Sequence, residues 1–444
     1  MMTSCVPPAK NSPLPFETSA RLSMRKSSTG FQGFLGVPGE VVMHHFAHLH
    51  LPLLLHHLVP SPHLIRAVVS GCPSFLIFFS LPLLALCAVR APIVEDLLNS
   101  DLRARLARVL SQHLSITDLT IQPMRRRPGS RHVFSYKLVV GDEQTGKESV
   151  IELIGKRDTT RAIGKAAKEY EAMRLLWDAG FGQDRSLRIP RPLHHFDDLK
   201  LIVQEKARGT KLRTFLGVES DASVDHARMT GVWLAKLHNL PVSPAPVCSY
   251  EGEKTSLRMF VAAVSASQPQ LAPELQHYAA QMETCFDGFQ NVPATYVHGD
   301  FHPDHIYVAN DLVTVIDFER FCVGDPARDL GSFIAHMRTT ACFTGKSLDA
   351  ANQQIAAFLK SYFSSVAMAP DIAIAPRIAP FVGLSTIEAV YYVASVLNVT
   401  HPSTIAMYMR CLQQAGLPPM TAAAPRAAKK AAAAQGNGSS GATL

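Results

Sequence analysis

Between Tyr296 and Asp329 the chain reads YVHGDFHPDHIYVANDLVTVIDFERFCVGDPARD, and four of its carboxylates are placed where they could do chemistry. Asp300 follows His298-Gly299, Asp317 closes the run VTVID, and Asp325 and Asp329 come soon after. Two acids a few ångströms apart can divide the work of phosphoryl transfer: one holds an accepting hydroxyl in line, and the other holds the divalent cation that screens the phosphates. The plainer reading is a pair of solvated surface loops that happen to be acidic. The elements around the acids decide between the two.

Residues 305–309 (HIYVA) and 312–317 (LVTVID) read as short apolar strands, and Asn310-Asp311 between them suit a tight turn. A two-residue turn sets the register: Ala309 faces Leu312, Ile306 faces Val315, His305 faces Ile316 and Asp304 faces Asp317. The loop carrying Asp300 then ends beside the point where the second strand delivers Asp317, although the two are 17 positions apart. Like charges held that close repel unless a cation lies between them. The outer acids have structural readings of their own. Asp325 before Pro326 suits a helix N-cap followed by a first-turn proline. Asp329 could orient the loop of Asp300 through backbone donors.

This stretch resembles the aminoglycoside phosphotransferase group of kinase-like enzymes, which includes choline-, homoserine- and fructosamine-type kinases. The group's catalytic loop reads H-G-D-x-x-x-x-N, followed by a strand ending in I-D-F/W-E and a helix starting at G-D-P-x-x-D-L. Here these are His298-Gly299-Asp300, Ile316-Asp317-Phe318-Glu319, and Gly324-Asp325-Pro326 through Asp329-Leu330. The resemblance implies an α+β chain with a two-lobed protein-kinase-like fold: an N-lobe of antiparallel sheet plus helix, and a mainly helical C-lobe carrying the catalytic hairpin. It implies Asp300 as catalytic base and Asp317 as principal metal ligand, with ATP and Mg2+ as cofactors. One position departs from the pattern. The loop asparagine, a second metal ligand in the group, is His305 here. Magnesium prefers oxygen ligands, so the second metal position falls to His305 itself, to Asp304 or Glu319, or is absent.

A fold of that kind places a lysine on a strand of the first lobe and a glutamate on the next helix. The runs VFSYKLVV (133–140) and SVIELIGK (149–156) read as strands around a polar turn, and the second ends in Lys156. Residues 160–179 read as a helix with Ala166, Tyr170, Met173 and Trp177 at helical spacing, ended by Gly180. By the resemblance Lys156 bridges the nucleotide phosphates and Glu169 steadies it. Glu171 is the competing register, on another face of the helix, and a solvated strand-end lysine is the plain alternative for Lys156. The run RRRPGSR (125–131) has a single glycine. Backbone amides around Gly129 and Ser130 approach phosphate in one reading, and the run is a solvated basic edge in the other. Leu201–Glu205 reads as a strand entering the hinge between lobes, with Gln204 and Glu205 beside the adenine. Thr230–His238 matches the helix that ends in L-x-x-L-H in the group, with His238 a packed helix residue rather than a ligand.

The net charge of +7 sits at the ends of the chain: +4 within residues 1–90, +3 within 419–444 and zero between them. No basic stripe points to nucleic acid, and the expected partner is a small-molecule hydroxyl substrate. The eight cysteines contain no C-x-x-C pair, and their spacing argues for neither a zinc site nor a disulfide framework. A reducing, cytoplasmic setting suits that. The organisation expected is an N-terminal extension over 1–90, the N-lobe over 91–206, the C-lobe over 207–418 and a disordered Ala/Gly/Ser-rich tail over 419–444. In the extension, His44 and His48 could share a helix face, but without an acidic or cysteine partner for a metal. Residues 67–89 are 23 mostly apolar residues with no charge, long enough to cross a bilayer. A membrane anchor through 67–89 competes with a non-native stretch upstream of the true start, and an export signal would begin nearer Met1. Helices are expected over 256–289, 347–366 and 378–397, where the acceptor pocket would be built. His336 and Arg338 either line that pocket or sit on a helix surface.

The expected activity is transfer of the ATP γ-phosphoryl group to a small-molecule hydroxyl. The alternative is a nucleotide-binding pseudokinase with a regulatory role, favoured by His305. A metal-dependent hydrolase using the same acids leaves Lys156 and Glu169 without a task.

Overall fold

A computed structural model describes residues 101–124, 131–160, 162–243, 245–289, 294–367, 374–399 and 401–417, all within the contact unit Ala85–Leu444. The extension over 1–90 with its segment 67–89, the residues Gly129 and Ser130, and the tail over 419–444 lie outside the described residues.

Alternation of buried and open side chains builds the first lobe. Helix α1 (Leu102–Leu110) precedes strands β1 (Leu114–Pro123), β2 (His132–Asp142) and β3 (Glu148–Arg157). Phe134, Tyr136, Leu138 and Val140 are buried at every second position of β2, the period of a sheet with one face on a core. Helix α2 (Lys165–Leu176) follows, then the short strands β4 (Leu187–Arg188), β5 (Pro192–Phe196) and β6 (Leu201–Glu205). The main sheet runs β1-β2-β3-β6-β5 with every pair antiparallel. Its β2 face packs with Leu102 and Leu106 of α1 in a small core. Ile202, from the other face, joins Ala166, Met173 and Leu176 of α2 in the large core. Lys156 is paired directly across from Ile202, so it stands on the α2 side of the sheet.

The α2 helix starts at Lys165 rather than at Thr160. Its cap is non-local: the Ala166 amide donates to the two carboxylate oxygens of Asp158 at 3.0 and 3.2 Å. At the other end a single π-helical turn, Trp177–Phe181, absorbs the exit, with Gly180 at φ 106°.

The second lobe is mainly helical. Strand β7 (Thr210–Lys211) leads through α3 (Leu212–Phe215) into α4 (Asp221–His238), α5 (Tyr250–Ser267) and α6 (Ala272–Gly288). Strands β8 (Thr295–Val297), β9 (Ile306–Ala309), β10 (Leu312–Val315) and β11 (Cys322–Gly324) come next. Helices α7 (Ala327–Thr344), α8 (Leu348–Ser365), α9 (Ala375–Tyr391) and α10 (Pro402–Gln413) complete it. The serines Ser220, Ser249 and Ser347 cap α4, α5 and α8 by accepting from the amide three residues on. Helix α4 packs along α8, and α7 along α9. The second crossing is close: a Cβ on Gly331 would lie 2.5 Å from the Phe381 Cβ.

The hairpin β9–β10 is the centre of a small sheet ordered β4-β10-β9-β7. Because β7 pairs with β9, the segment entering the second lobe is stitched to the hairpin itself. Residues Ala375–Val396 are long and apolar enough to cross a membrane by length and composition, and among the described residues they alone are. Phe381, Leu384 and Ile387 lie in the large core, so packing accounts for that apolarity.

One cysteine expectation is corrected. Cys248 and Cys322 form a disulfide across 74 positions, fixing the segment before α5 to β11. Spacing along the chain could not show it, because the pairing of Val247 with Val323 that brings the two together is a product of the fold.

Candidate active site

The hairpin has the expected register, with Leu312 opposite Ala309 and Val315 opposite Ile306. The Ile316 amide donates to the His305 carbonyl at 2.9 Å. The register then stops, because Asp317 turns out of the strand in a left-handed conformation, φ 75° and ψ 65°. Asp304 therefore does not face Asp317. It pairs with Arg213 at 3.3 Å and Lys211 at 3.8 Å instead. His305 takes the facing position, its Nε2 lying 3.4 Å from Asp317 Oδ2.

The loop of Asp300 is held from below. Asp329 is fully buried and accepts from the amides of His298 at 2.7 Å and Gly299 at 2.9 Å, the orienting role expected of it. His238 Nε2 donates to Asp329 at 3.2 Å, and the Tyr362 hydroxyl donates to His238 Nδ1 at 2.8 Å. His238 is thus the packed helix residue that was expected. Burial alone would raise the Asp329 pKa, but the His238 donor, with the His298 amide adding to it, holds it below the usual carboxylate range. His298 donates from Nε2 to the Ile316 carbonyl at 3.0 Å and accepts the Asp300 amide at Nδ1, 3.2 Å. That bonding fits the neutral ring, and burial lowers its pKa. Gly299 is required between them: its φ is 78°, and a Cβ there would stand 2.3 Å from the Arg320 carbonyl oxygen. The Asp300 carboxylate itself is lightly engaged. Its nearest basic neighbours are His302 Nε2 and His305 Nδ1, each at 3.8 Å, and Arg320 at 3.9 Å.

Asp325 is structural, as its place before Pro326 suggested. It accepts from the Ala327 amide at 2.9 Å, from Arg377 at 2.8 Å and from the Tyr250 hydroxyl at 2.7 Å.

The first lobe reaches the same point from the other side. Lys156 Nζ lies 2.6 Å from Glu169 Oε1 and 3.0 Å from Asp317 Oδ1. Glu169 is fully buried, whereas Glu171 is exposed, which settles the helix register. Arg131 joins them: it lies 2.6 Å from Glu169, 2.8 Å from Glu319 and 3.6 Å from Asp317. Lys165 lies 3.2 Å from Glu319. Three acids and three bases therefore balance. Burial works against the charge of Asp317, but Lys156 outweighs it, with Arg131 adding to it, and holds the carboxyl far below its ordinary pKa. Burial likewise works against the charge of Lys156, and Asp317 and Glu169 outweigh it to raise that pKa.

Gln204 is buried and Glu205 half-buried at the end of β6. The Glu205 amide donates to the Arg191 carbonyl at 3.0 Å, and the Lys206 amide to the Glu152 carbonyl at 3.1 Å. Arg338 bonds Asn352 and the Gln414 carbonyl, away from the loop. His336 does reach the site, its ring 4.6 Å from that of His302. Three features had no signal along the chain: the bridging role of Arg131, the pairing of Arg320 with Glu388 at 3.0 Å, and that ring stack. Asp300, His302 and His305 also bring possible ligand atoms within 4.8 Å of one another. The spacing H-P-D-H was the one hint of that.

A sequence profile of the phosphotransferase enzyme family matches residues 136–365, just over half of the chain. No curated protein gives a significant match. Among solved structures, a choline/ethanolamine kinase family protein from Mesorhizobium loti is 15% identical, with 71% of this chain and 93% of that one covered and a TM-score of 0.45. A spectinomycin phosphotransferase in complex with ADP and spectinomycin is 15% identical over 70% of this chain and 93% of that one, with a TM-score of 0.44. An amicoumacin kinase in complex with AMP-PNP and Ca2+ is 15% identical over 71% and 92%, with a TM-score of 0.45.

Proposed function

Because the chain belongs to the phosphotransferase enzyme family, we propose that it transfers the γ-phosphoryl group of ATP to a hydroxyl on a small molecule. The observation that carries this reading is the contact of Lys156 with Asp317 at 3.0 Å. It brings a phosphate-binding amine of one lobe to the carboxylate at the end of the catalytic hairpin, one imidazole ring away from Asp300.

Asp300 is the base. Its carboxylate is free to accept from an incoming hydroxyl, and the Asp329–His238 bonding below fixes the loop that aims it. Lys156 holds phosphate oxygens, with Glu169 and Arg131 fixing its position. The six charges of the cleft are balanced before any nucleotide arrives, so phosphate binding must exchange partners: Lys156 turns from Asp317 to phosphate, and Asp317 turns to a cation. The residues present fit such a cation, because Asp317 offers an oxygen beside the His305 nitrogen. A divalent ion bound there would supply screening of the phosphate charge. Gly129 and Ser130 would add backbone amides to the phosphates, and Gln204 with Glu205 would border the purine.

The test is nucleotide binding followed by a screen of hydroxyl-bearing metabolites for ATP consumption, with the product mass measured. A gain of one phosphoryl group on an acceptor supports the reading. Nucleotide binding with no transfer to any acceptor would favour a regulatory nucleotide-binding module.

A further inference from the structure

Position 305 bears on which cation this cleft takes. His305 Nδ1 lies 3.0 Å from the backbone carbonyl oxygen of Asp300. A carbonyl oxygen can only accept, so Nδ1 carries the proton and the neutral ring has its lone pair on Nε2. That lone pair faces Asp317 Oδ2 at 3.4 Å. In the present arrangement Lys156 balances the Asp317 charge from 3.0 Å at Oδ1; once Lys156 turns to phosphate, that nitrogen and Oδ2 are left as two lone-pair ligands for a shared cation. A ring whose far nitrogen is fixed by a backbone carbonyl while its near nitrogen faces a carboxylate is the arrangement of a metal-ligating histidine.

The rival acids are paired on their own sides of the cleft. Asp304 is held by Arg213 and Lys211, and Glu319 by Arg131 and Lys165. The cluster of Asp300, His302 and His305 is also less suited than its spacing suggests. His302 Nδ1 accepts the Asp304 amide at 3.3 Å, so in the neutral ring the nitrogen facing Asp300 carries a proton. The lone pair of His305 is directed at Asp317 rather than into that cluster.

We infer that the cation beside Asp317 is bound by one imidazole nitrogen and one carboxylate oxygen, and that the cleft therefore selects a first-row transition ion such as Mn2+, Co2+ or Zn2+ over Mg2+. Magnesium keeps a near-ideal octahedron of oxygens and dehydrates reluctantly, whereas the transition ions accept imidazole readily. This deepens the proposed phosphotransfer and rests on that reading, since the nucleotide phosphates complete the ligand set.

Pulsed electron paramagnetic resonance of the full chain with Mn2+ and a non-hydrolysable ATP analogue tests it without turnover. The expected result is nuclear coupling to an imidazole nitrogen in the wild type, lost in His305→Asn. Competition titrations on the same samples should show the preference for Mn2+ or Co2+ over Mg2+ shifting toward Mg2+ by about tenfold or more in His305→Asn, the scale of altered metal-site contacts. Coupling absent from the wild type with analogue and Mn2+ both bound, or persisting in His305→Asn, overturns the inference and leaves the phosphotransferase reading standing. Failure of the analogue to bind with any of these ions overturns both.

Discussion

The two walls of the cleft are held in place by different physics. On the sheet side, Lys156, Glu169, Arg131, Lys165, Glu319 and Asp317 form a network of opposite charges. On the hairpin side, Asp300 is surrounded by histidines and by a loop tied down through backbone amides. A charge network can exchange one partner for another when phosphate and metal arrive, because each ion already has several. A loop fixed by amides has no such freedom, which suits the base proposed for Asp300, since it must stay aimed while its surroundings rearrange. On the proposed function, the difference assigns adaptability to the nucleotide side and fixed direction to the acceptor side.

The change expected to separate the two walls most sharply is Asp300→Asn. It should lower kcat roughly a thousandfold, about 4 kcal/mol of activation free energy, while the nucleotide dissociation constant moves by less than about twofold. Steady-state rates beside nucleotide titrations check it. A comparable loss of nucleotide affinity would mean that the walls are not independent.

Glu169→Ala strikes the other wall. It leaves Lys156 and Arg131 buried with fewer counter-charges, and losing one member of a buried ion pair costs about 3–5 kcal/mol. Urea denaturation of both proteins measures this. Glu171→Ala, on the exposed face of the same helix, should stay within about 0.5 kcal/mol of wild type. Equal losses in the two variants would show that the charge network contributes little to stability.

Reduction of the Cys248–Cys322 bond comes third. The bond anchors β11, the strand that follows the Asp317 turn and pairs with β8 at the entry to the Asp300 loop. Cys248→Ser should lose about 2–4 kcal/mol, and wild type under reductant should melt with it. A wild-type melting curve insensitive to reductant would remove the disulfide from the account of the fixed wall.

The hairpin was legible in the sequence because a two-residue turn and a side-chain period of two leave one register, and that register brings Asp317 to the end of the second strand; the roles of Asp300 and Asp317 came from the resemblance. The extrapolation failed one residue further on, at Asp304, because the left-handed turn at Asp317 ends the ladder. Glu169 could be told from Glu171 only in part, by the resemblance and by helical period, and burial completed the distinction. Arg131 was invisible for a different reason. Its partner Glu319 is 188 positions away, and no local period links a strand start in one lobe to a turn in the other. The Asp158 cap of α2 failed in the same way, since a cap supplied from beyond the adjacent turn leaves no signature beside the helix. Period and turn chemistry reached the hairpin and the helix face, the resemblance named Lys156 with Glu169, and the pairing of Arg131 across the fold was missed.

The smallest expected effect probes whether the fixed wall is held by charge or by shape. Asp329→Asn keeps the volume but replaces one acceptor oxygen with a donor that confronts a backbone amide, at a cost of about 1–3 kcal/mol. The Asp329 carboxyl is held below its ordinary pKa in the folded protein. Its stabilisation is therefore fully present above the unfolded value of about 3.9 and is lost as pH falls through the lower folded value. Denaturation curves at successive pH values should show a gap between wild type and variant that is constant from neutrality to about pH 5 and shrinks below about pH 4. Once protonated, the wild-type carboxyl, like the variant's amide, presents a donor where two amides need acceptors. A gap that persists in acid would mean that Asp329 holds the Asp300 loop by its shape, and the contrast between the walls would then lie in packing rather than in the kind of bond each uses.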